Sequence, residues 1–180
     1  MTLQIRQLLP ADAAEYRELM LEGYLAHPEA FTASVAEREG QPLSWWEART
    51  AQVLGAFAGG ELVGAAGLER DGRDKTRHRA KLFAMYVGRK ARRRGVGRAL
   101  VLAVLEKARQ IPGLEVVYLT VMEGNSPARR LYAACGFAEF GIEPMAVFEG
   151  GKYLAKVHMW HRLHPASPGC RPGEKTWTSS

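Results

Sequence analysis

The chain has 180 residues, a formal net charge of +6 and a hydrophobic fraction of 47%. At this length roughly 70% of the surface of the unfolded chain can be buried, which suits one domain with its own core. No apolar run approaches the about 18 residues of a membrane-spanning helix, and the first residues lack the basic and apolar regions of a secretion signal. These features exclude a protein of membrane-spanning helices and predict a cytoplasmic protein.

Cysteine and histidine positions argue against a metal centre. The two cysteines, Cys135 and Cys170, form no C-x-x-C pair, and Cys135 lies in a run of small residues that predicts a packed thiol. His158, His161 and His164 are spaced by three, but residues three apart in a strand face opposite sides, and the outer two would be roughly 20 Å apart. We therefore predict no metal site and no disulfide framework.

Apolar periodicity and turn residues divide the chain into strands and helices. The predicted elements are, in order, strand 4–8, helix 12–23, an irregular segment 27–40, a short helix from 44, strands 53–57, 61–68 and 81–87, helix 96–109, strand 115–121, helix 126–136, and strands 147–148 and 153–163. The segment that follows, 164–180, is polar and rich in proline, and we predict that it is a disordered tail.

Local signals predict where several helices begin and end. Asp12 with Glu15, and Ser44 with Glu47, have the three-residue spacing of capping boxes, so they predict the starts of the first two helices. Gly23 predicts the end of the first helix. Ser126 is the predicted cap of the last helix, with a proline in its first turn.

A strand is followed by a helix through residues 88–95, the glycine-rich loop, which is dense in arginine. Gly95 and Gly97 allow positive φ and close approach to a ligand, and the first N–H groups of the helix carry its positive dipole end. This pattern predicts a site for an anion such as a phosphate. It has neither the third glycine of a dinucleotide fingerprint nor the Gly-Lys-Ser/Thr of a Walker loop. A solvated basic loop is the alternative.

Two motifs in this region resemble those of a known family. The pattern R-x-x-G-x-G, at Arg92, Gly95 and Gly97, is similar to the acyl-CoA signature of the GCN5-related N-acetyltransferases (GNAT). The segment 125–137 is similar to the family's second motif, N-x-x-A-x-x-L-Y-x-x-x-G-F. Weaker similarity covers residues 3–163. The resemblance implies one N-acetyltransferase domain over residues 1–163, with an α+β fold: a mixed, mostly antiparallel sheet of about seven strands with helices on both faces.

The resemblance also implies a cosubstrate, acetyl-CoA, and the residues that bind it. The fourth strand would separate from the fifth at a bulge and pair with the pantetheine arm, a backbone N–H of Tyr86 or Val87 would polarise the acetyl carbonyl, and the glycine-rich loop would bind the pyrophosphate. The implied acetyl-CoA residues are Met85, Tyr86, Val87, Arg92, Arg93, Arg94, Gly95, Val96, Gly97, Arg98, Asn125, Ala128 and Tyr132.

For catalysis the resemblance assigns Tyr132 to the leaving sulfur, as a proton or hydrogen-bond donor. One common arrangement in the family places a glutamate five residues before the motif asparagine, but this position is Thr120 here. Glu123 and Glu69 are the alternative bases, each acting through water. The absent glutamate argues against the ribosomal-protein alanine acetyltransferases of the family.

The acceptor amine is left open by the sequence. The resemblance places the two N-terminal helices beside the acceptor, so Phe31, Glu37, Glu39, Trp45 and Trp46 are candidates there, although paired tryptophans are more often core residues. Similar chains carry an acidic pair where this chain has Ala155 and Lys156.

Alternatives remain open for the activity of the chain, for its basic loop and for its partners. An enzyme that transfers an acetyl group to a primary amine competes with an acetyl-CoA-binding sensor or scaffold without turnover. The basic loop, residues 70–79, predicts a solvated surface, with nucleic-acid binding as a weaker alternative. By analogy with the family, a homodimer is possible and a membrane partner is not expected.

Overall fold

The structure is a computed structural model, and it describes residues 3–163. Seven strands and five α-helices follow one another along these residues. The strands are β1 (Leu3–Gln7), β2 (Val53–Ala58), β3 (Glu61–Arg70), β4 (Arg79–Val87), β5 (Val116–Met122), β6 (Ala138–Glu149) and β7 (Lys152–Arg162). The helices are α1 (Ala13–Ala26), α2 (Val35–Glu39), α3 (Leu43–Thr50), α4 (Val96–Arg109) and α5 (Ser126–Ala134). Short 3-10 turns occur at Pro10–Asp12, Pro28–Ala30 and Arg89–Ala91.

All seven strands form one mixed sheet in the order β1-β2-β3-β4-β5-β7-β6. Only β4 and β5 are parallel neighbours, and the other neighbouring pairs are antiparallel. A parallel pair needs a crossover, and α4 supplies it between β4 and β5. The predicted α+β fold with a mostly antiparallel sheet of about seven strands is confirmed.

Each face of the sheet has its own hydrophobic core. On one face α4 and α5 pack on the central strands, and Leu100, Val101 and Val104 of α4 are fully buried. On the other face α1 and α3 contribute Tyr16, Met20 and Trp46. Each such side chain contributes about 1.5–3 kcal/mol when it is removed from water. The helices therefore hold the sheet from both sides, as predicted.

The start of α1 differs from the prediction. Asp12 precedes the helix, but its side chain caps no helix N–H. Both carboxylate oxygens instead accept hydrogen bonds from Arg6 at 2.7 and 2.8 Å, and one also accepts from the Leu9 N–H. The capping box with Glu15 is therefore wrong, because the guanidinium of Arg6 on β1 competes for the same oxygens.

Two more helix boundaries were predicted wrongly. The first helix continues through Gly23 to Ala26, because Gly23 is buried against the ring of Tyr86 rather than ending the helix. The helix from residue 44 begins earlier, at Leu43, with Pro42 at the cap position and Ser44 inside the helix. A side chain inside the first turn does not take the cap role.

The segment 27–40, predicted to be irregular, contains a short helix that begins with a capping box. The Glu37 N–H donates to Ser34 Oγ at 3.2 Å, and the Ser34 N–H donates to Glu37 Oε2 at 2.6 Å. This reciprocal pair starts the short helix α2. The prediction was wrong because so short a helix has almost no apolar periodicity.

The two β-hairpins have the predicted turns, but one strand is longer than expected. Gly59 and Gly60 link β2 to β3, and Gly150 and Gly151 link β6 to β7, all with positive φ. β6 spans twelve residues instead of the two predicted. Register shifts after Glu139 and Glu143 interrupt its alternation, which is why its pattern does not indicate a strand.

The pair of Arg6 and Asp12 makes stability depend on pH. The hydrogen bonds from Arg6 lower the pKa of Asp12 below its ordinary value. Because the pKa is lower in the folded state, the ionised carboxylate stabilises the protein above about pH 4. This stabilisation is lost as the pH falls through the folded-state pKa. We expect Asp12→Asn to lower the free energy of unfolding at pH 7 by about 1 kcal/mol, a value reduced by the partial exposure of Arg6.

Urea unfolding of the wild type, Asp12→Asn and Glu18→Gln between pH 7 and pH 3 checks this expectation. Glu18 is an exposed carboxylate on α1 and serves as the control. The difference between wild type and Asp12→Asn should shrink toward the acid end of the series. A difference that stays constant with pH would assign the effect to packing rather than to the ion pair.

Some predictions fall outside residues 3–163, including the tail at 164–180, Cys170 and His164. Within the described residues no helix is long and apolar enough to cross a membrane. The basic loop is largely exposed and is anchored at one end, where the Tyr118 hydroxyl donates to Asp71 Oδ1 at 2.8 Å. Its predicted role as a solvated surface, and the weaker nucleic-acid alternative, stay predictions.

Candidate active site

The central feature of the site is a gap between β4 and β5. The two strands pair only where Arg79–Lys81 lie beside Val116–Tyr118, although β4 continues to Val87. A register shift against β3 and a φ of 49° at Ala84 mark a bulge on β4 just beyond the paired part. The separation that the family resemblance implies is therefore present, and it leaves a strand edge open.

The main chain of Val87 faces this gap. The N–H of the next residue, Gly88, donates to Val63 O on β3 at 2.9 Å. Because neighbouring residues of a strand direct their hydrogen-bonding groups to opposite sides, the N–H and C=O of Val87 point away from β3. The Val87 carbonyl accepts from Arg92 Nε at 3.1 Å, so one group of the open edge already has a protein partner.

The glycine-rich loop delivers the N-terminus of α4 to the same place. Arg93 and Gly95 have φ values of 61° and 78°, which turn the chain sharply before Val96. The first hydrogen bond of the helix runs from the Ala99 N–H to Gly95 O at 3.0 Å. The preceding N–H groups, from Val96 to Arg98, have no partner within the helix and carry its positive dipole end. This is the geometry of an anion site.

Because Gly97 has no side chain, the side chains of Leu131 and Met85 can pack close to the first turn of α4. A Cβ built on Gly97 would lie 3.2 Å from Leu131 Cδ2 and 3.4 Å from Met85 Cε. The glycine thus brings α4 close to α5 and β4 at the bottom of the gap. Its use here is space rather than conformation, because Gly97 has ordinary helical φ.

The open strand edge and the helix end share one cleft with a volume of about 920 Å³. Its charges are segregated: the arginines come from the glycine-rich loop and α4, and the carboxylates come from residues near the ends of α1 and β5. The lining residues are His27, Glu29, Ala30, Phe31, Met85, Tyr86, Val87, Ala91, Arg92, Arg93, Gly95, Val96, Gly97, Arg98, Met122, Glu123, Gly124, Asn125, Pro127, Ala128, Leu131, Tyr153, Leu154 and Ala155.

Most of the predicted acetyl-CoA residues line this cleft. Within the described residues, the two that do not are Arg94 and Tyr132. Asn125, rather than the predicted Ser126, caps α5: its side-chain oxygen accepts from the Ala128 N–H at 3.2 Å. Ser126 is the first residue inside the helix. The motif asparagine therefore fixes the start of the helix that carries Tyr132.

Tyr132 is buried, with only 6% of its surface exposed. Its ring packs edge-on against Phe137 with the ring centres 5.8 Å apart, and burial raises the pKa of its hydroxyl. The helix ends just beyond it: the Phe137 N–H donates to Tyr132 O, and the Gly136 N–H donates to Ala133 O, both at 3.0 Å. This pair is a Schellman motif, with Gly136 at the predicted left-handed position.

The candidate bases differ in position. Glu123 lines the cleft, and its N–H donates to Ala155 O on β7 at 2.9 Å. Glu69 pairs with Lys81 on the part of β4 that is still joined to β5, and it is not among the described residues that line the cleft. The strand separates from β5 only beyond that point, so Glu69 lies outside the gap, and its role as a base stays a prediction.

Three positions at which the family resemblance implies an acidic residue hold other residues here. Thr120 lies on β5 opposite His158, and Ala155 lines the cleft. Lys156 Nζ donates to Thr32 Oγ1 at 2.8 Å and so joins β7 to the segment that follows Pro28–Ala30. Among these three residues, only Lys156 forms a side-chain hydrogen bond within the described part of the chain.

The five residues that the resemblance places beside the acceptor divide. Phe31 lines the cleft and packs on Tyr24, whereas Trp46 is 1% exposed and belongs to the core, as the alternative interpretation stated. Trp45 lies beneath the guanidinium groups of Arg38 and Arg49. Glu37 is used in the capping box, and neither it nor Glu39 is among the described residues that line the cleft.

Sequence reasoning missed several lining residues on this side. His27 and Glu29 flank Pro28 just after α1, with His27 Nδ1 3.4 Å from Glu29 Oε1. Tyr153 and Leu154 come from the first residues of β7. A proline directly after a helix, with polar residues on each side, is the signal that indicates an ordered turn here rather than an irregular loop.

Histidines are used for local contacts in this structure. His158 Nε2 lies 3.0 Å from Glu143 Oε2, and His161 Nδ1 lies 3.0 Å from Gly136 O. Among residues 3–163 there is no group of three or more side chains suited to a metal ion. Cys135 is buried, and burial raises the pKa of its thiol.

A comparison with family models matches residues 14–137 to the acetyltransferase (GNAT) family. The chain belongs to this family. N-alpha-acetyltransferase RimI of Mycobacterium tuberculosis is 38% identical over 93 residues, which are 49% of this chain and 53% of RimI. Phosphinothricin N-acetyltransferase of Alcaligenes faecalis is 28% identical over 81 residues, 45% of this chain and 41% of that protein. This GNAT chain therefore spans about half the length of the curated relatives it matches.

Solved structures of the family share the whole fold. YncA from Salmonella typhimurium, solved with its cofactor acetyl-CoA, has a TM-score of 0.76 at 24% identity, over 94% of this chain and 100% of yncA. Ribosomal-protein-alanine N-acetyltransferase from Brucella melitensis has a TM-score of 0.74 at 24% identity, over 88% of this chain and 99% of that one. The GNAT fold of the chain is thus established over nearly its full length.

Proposed function

We propose that the protein is an acetyl-CoA-dependent N-acetyltransferase that moves the acetyl group to a primary amine by direct attack in a ternary complex. The observation that carries the proposal is the shared cleft: β4 parts from β5 beside the N-terminus of α4, so a strand edge and an anion site open into one space. Acetyl-CoA combines an extended amide-bearing arm with phosphates, and these two surfaces match its two parts.

We assign binding of the cosubstrate to main chain and arginine together. The N–H groups at the start of α4 would hold the pyrophosphate, with Arg93 and Arg98 adding charge, since both line the cleft. The open edge of β4 would pair with amides of the pantetheine arm. Asn125 uses its side-chain oxygen as the cap of α5, and we assign its amide nitrogen to the same arm.

The chemistry requires a donor for the carbonyl oxygen of the thioester. Among the two candidate N–H groups the alternation of the strand favours Val87 over Tyr86, because the Val87 N–H points away from β3 and into the gap. As the amine nitrogen bonds to the carbonyl carbon, negative charge develops on that oxygen. A preorganised N–H directed at it stabilises the transition state.

The departing sulfur requires a proton as its bond to carbon breaks. The phenol of Tyr132 is protonated at neutral pH, and burial raises its pKa and makes it a weaker acid. We assign it to the departing sulfur as a hydrogen-bond donor that gives up its proton once the carbon–sulfur bond breaks. The attacking amine, with a pKa near 10.4 for an alkylammonium, must lose one proton before it attacks. We assign that proton to Glu123, through water, because this residue lines the cleft. A second proton leaves the nitrogen after its bond to carbon has formed, and it replaces the one that Tyr132 gives to the sulfur.

The runner-up function is a sensor or scaffold that binds acetyl-CoA without turnover. Thr120 in place of the family glutamate, together with Ala155 and Lys156 in place of an acidic pair, favours it. Lys156 donates to Thr32, the neighbour of the cleft-lining residue Phe31, so a cation is present at a position where the family resemblance implies an acid. Both functions predict acetyl-CoA binding, and only the enzyme predicts release of free thiol.

The test is therefore acetyl-CoA-dependent thiol release against a panel of amines, with thermal unfolding measured beside it. The panel contains peptide N-termini, because RimI is a relative, together with amino acids, polyamines and aminoglycosides. A rate that depends on one class of amine would establish the transferase and name its acceptor. If acetyl-CoA raises Tm but no amine yields thiol, the sensor is supported. No rise in Tm and no thiol would overturn both functions.

A further inference from the structure

A single carboxylate on α1 joins the separated strand to the glycine-rich loop. One oxygen of Glu22, Oε1, accepts from the Tyr86 hydroxyl at 3.0 Å and from the backbone N–H of Arg89 at 3.2 Å. Tyr86 belongs to β4, and Arg89 belongs to the glycine-rich loop. Glu22 itself is not among the described residues that line the cleft. Its contacts therefore act on the cleft wall from behind.

The same cluster includes the signature arginine. Arg92 Nη2 donates to the Tyr86 hydroxyl at 3.2 Å, and Arg92 Nε donates to the carbonyl of Val87 at 3.1 Å. The hydroxyl of Tyr86 thus lies between the carboxylate of Glu22 and the guanidinium of Arg92. This chain of hydrogen bonds ends on the Val87 peptide, whose main chain faces the gap.

Packing behind the cluster limits its movement. The ring of Tyr86 lies so close to Gly23 that a Cβ there would be 2.8 Å from Tyr86 Cδ2. Tyr86 is only 6% exposed, so its hydroxyl is directed by a closely fitted ring. Tyr86 is the buried member of this network, whereas Glu22, Arg89 and Arg92 are exposed, and the hydrogen bonds that share the Tyr86 hydroxyl orient one another.

We propose that Glu22 is a positioning residue that, through Tyr86 and Arg92, holds the end of β4 and the glycine-rich loop in the geometry that binds acetyl-CoA. This inference rests on the proposed function for the identity of the ligand. Without Glu22, Arg89 loses the side-chain acceptor of its N–H, and Tyr86 is free to redirect its hydroxyl. The Val87 peptide and the start of α4 then lose their fixed separation.

The experiment compares Glu22→Ala, Glu22→Gln and Glu18→Ala by calorimetric titration with acetyl-CoA in the absence of any amine. We expect Glu22→Ala to raise Kd about tenfold, which corresponds to the loss of about one net hydrogen bond. Glu22→Gln keeps an oxygen that can accept both hydrogen bonds, so it should stay within about twofold of the wild type. Glu18, exposed and one turn earlier on α1, is the matched control and should bind as the wild type does.

The titration separates positioning from general stability. A variant that merely unfolds in part would lower the binding stoichiometry and leave Kd of the folded fraction unchanged. A double-mutant cycle adds Tyr86→Phe: if Glu22 acts through this hydroxyl, the double variant should be weakened by less than the product of the two single effects.

Wild-type Kd in Glu22→Ala, or a Glu22→Gln variant as weak as Glu22→Ala, would overturn the inference. Because binding is measured without an acceptor, a wild type that binds acetyl-CoA but acetylates no amine would overturn the transferase and leave the positioning role to be decided by Kd. A wild type that binds no acetyl-CoA would overturn both.

Discussion

Replacing Tyr132 with phenylalanine is expected to lower kcat about 100-fold while acetyl-CoA Kd changes little. The substitution removes the proton donor assigned to the leaving sulfur, and general acid catalysis contributes at least about 100-fold in enzymes. Tyr132 is buried and packs on Phe137, and phenylalanine keeps that ring contact, so the fold should tolerate the change. Steady-state kinetics with the amine identified by the panel, beside a calorimetric Kd, measure the two quantities separately.

Tyr118→Phe is the matched control for this substitution. Its hydroxyl also donates a hydrogen bond, to Asp71, but Tyr118 lies on β5 and is not among the described residues that line the cleft. It should keep wild-type kcat. Unchanged turnover in Tyr132→Phe would remove Tyr132 from the mechanism and leave it the role of a packed core tyrosine.

Replacing Gly97 with valine is expected to weaken acetyl-CoA binding at least about 100-fold, a loss of about 2.7 kcal/mol. The added carbons would begin 3.2 Å from Leu131 and 3.4 Å from Met85 and extend into the bottom of the cleft. They would also separate α4 from α5, and the N–H groups of the helix end would move with it. Calorimetric titration with acetyl-CoA measures the loss, and circular dichroism verifies that the variant is folded.

Gly72→Val is the control, because Gly72 lies in the basic loop and a Cβ there meets nothing within 4 Å. It should bind acetyl-CoA as the wild type does. If Gly97→Val kept the wild-type Kd, the start of α4 could not be the anion site, and the proposed orientation of the cosubstrate would have to be abandoned.

The parts of the fold that the sequence predicts well are those fixed by local pattern. The stripe of apolar residues on α4 and the glycine pairs of the two hairpins depend on neighbours within a few residues, and they lie where expected. Much of the cleft was predictable because its walls come from a continuous stretch of strand, loop and helix. Two sequence motifs lie in this stretch, residues 80–137.

The parts that failed depend on contacts outside the local pattern of each element. Asp12 has the right type and spacing for a cap, but Arg6, six residues earlier on β1, takes its oxygens. Gly23 looks like a helix end until the ring of Tyr86 is placed against it. A separation of 64 residues along the chain likewise hides the link between Glu22 and Tyr86.

The part of the cleft wall that we assign to the acceptor was the least predictable. It comes from the end of α1, the turn after β5 and the start of β7, and no single stretch of sequence carries a pattern for all three. Trp45 and Trp46 attract attention by composition, yet one fills the core and the other stacks with arginines. His27 and Glu29, which line the cleft, have no motif around them.

The short contact between β4 and β5 has a mechanical consequence for the sheet. Residues 79–81 beside 116–118 are the whole of the pairing that joins the four strands β1 to β4 with the three strands β5 to β7. The sheet therefore has two parts, β1 to β4 and β5 to β7, which are joined by a short stretch of strand pairing and covered on one face by α4. An extended ligand in the gap would serve as an added strand that joins the two parts. A ligand bound there would therefore also be part of the scaffold.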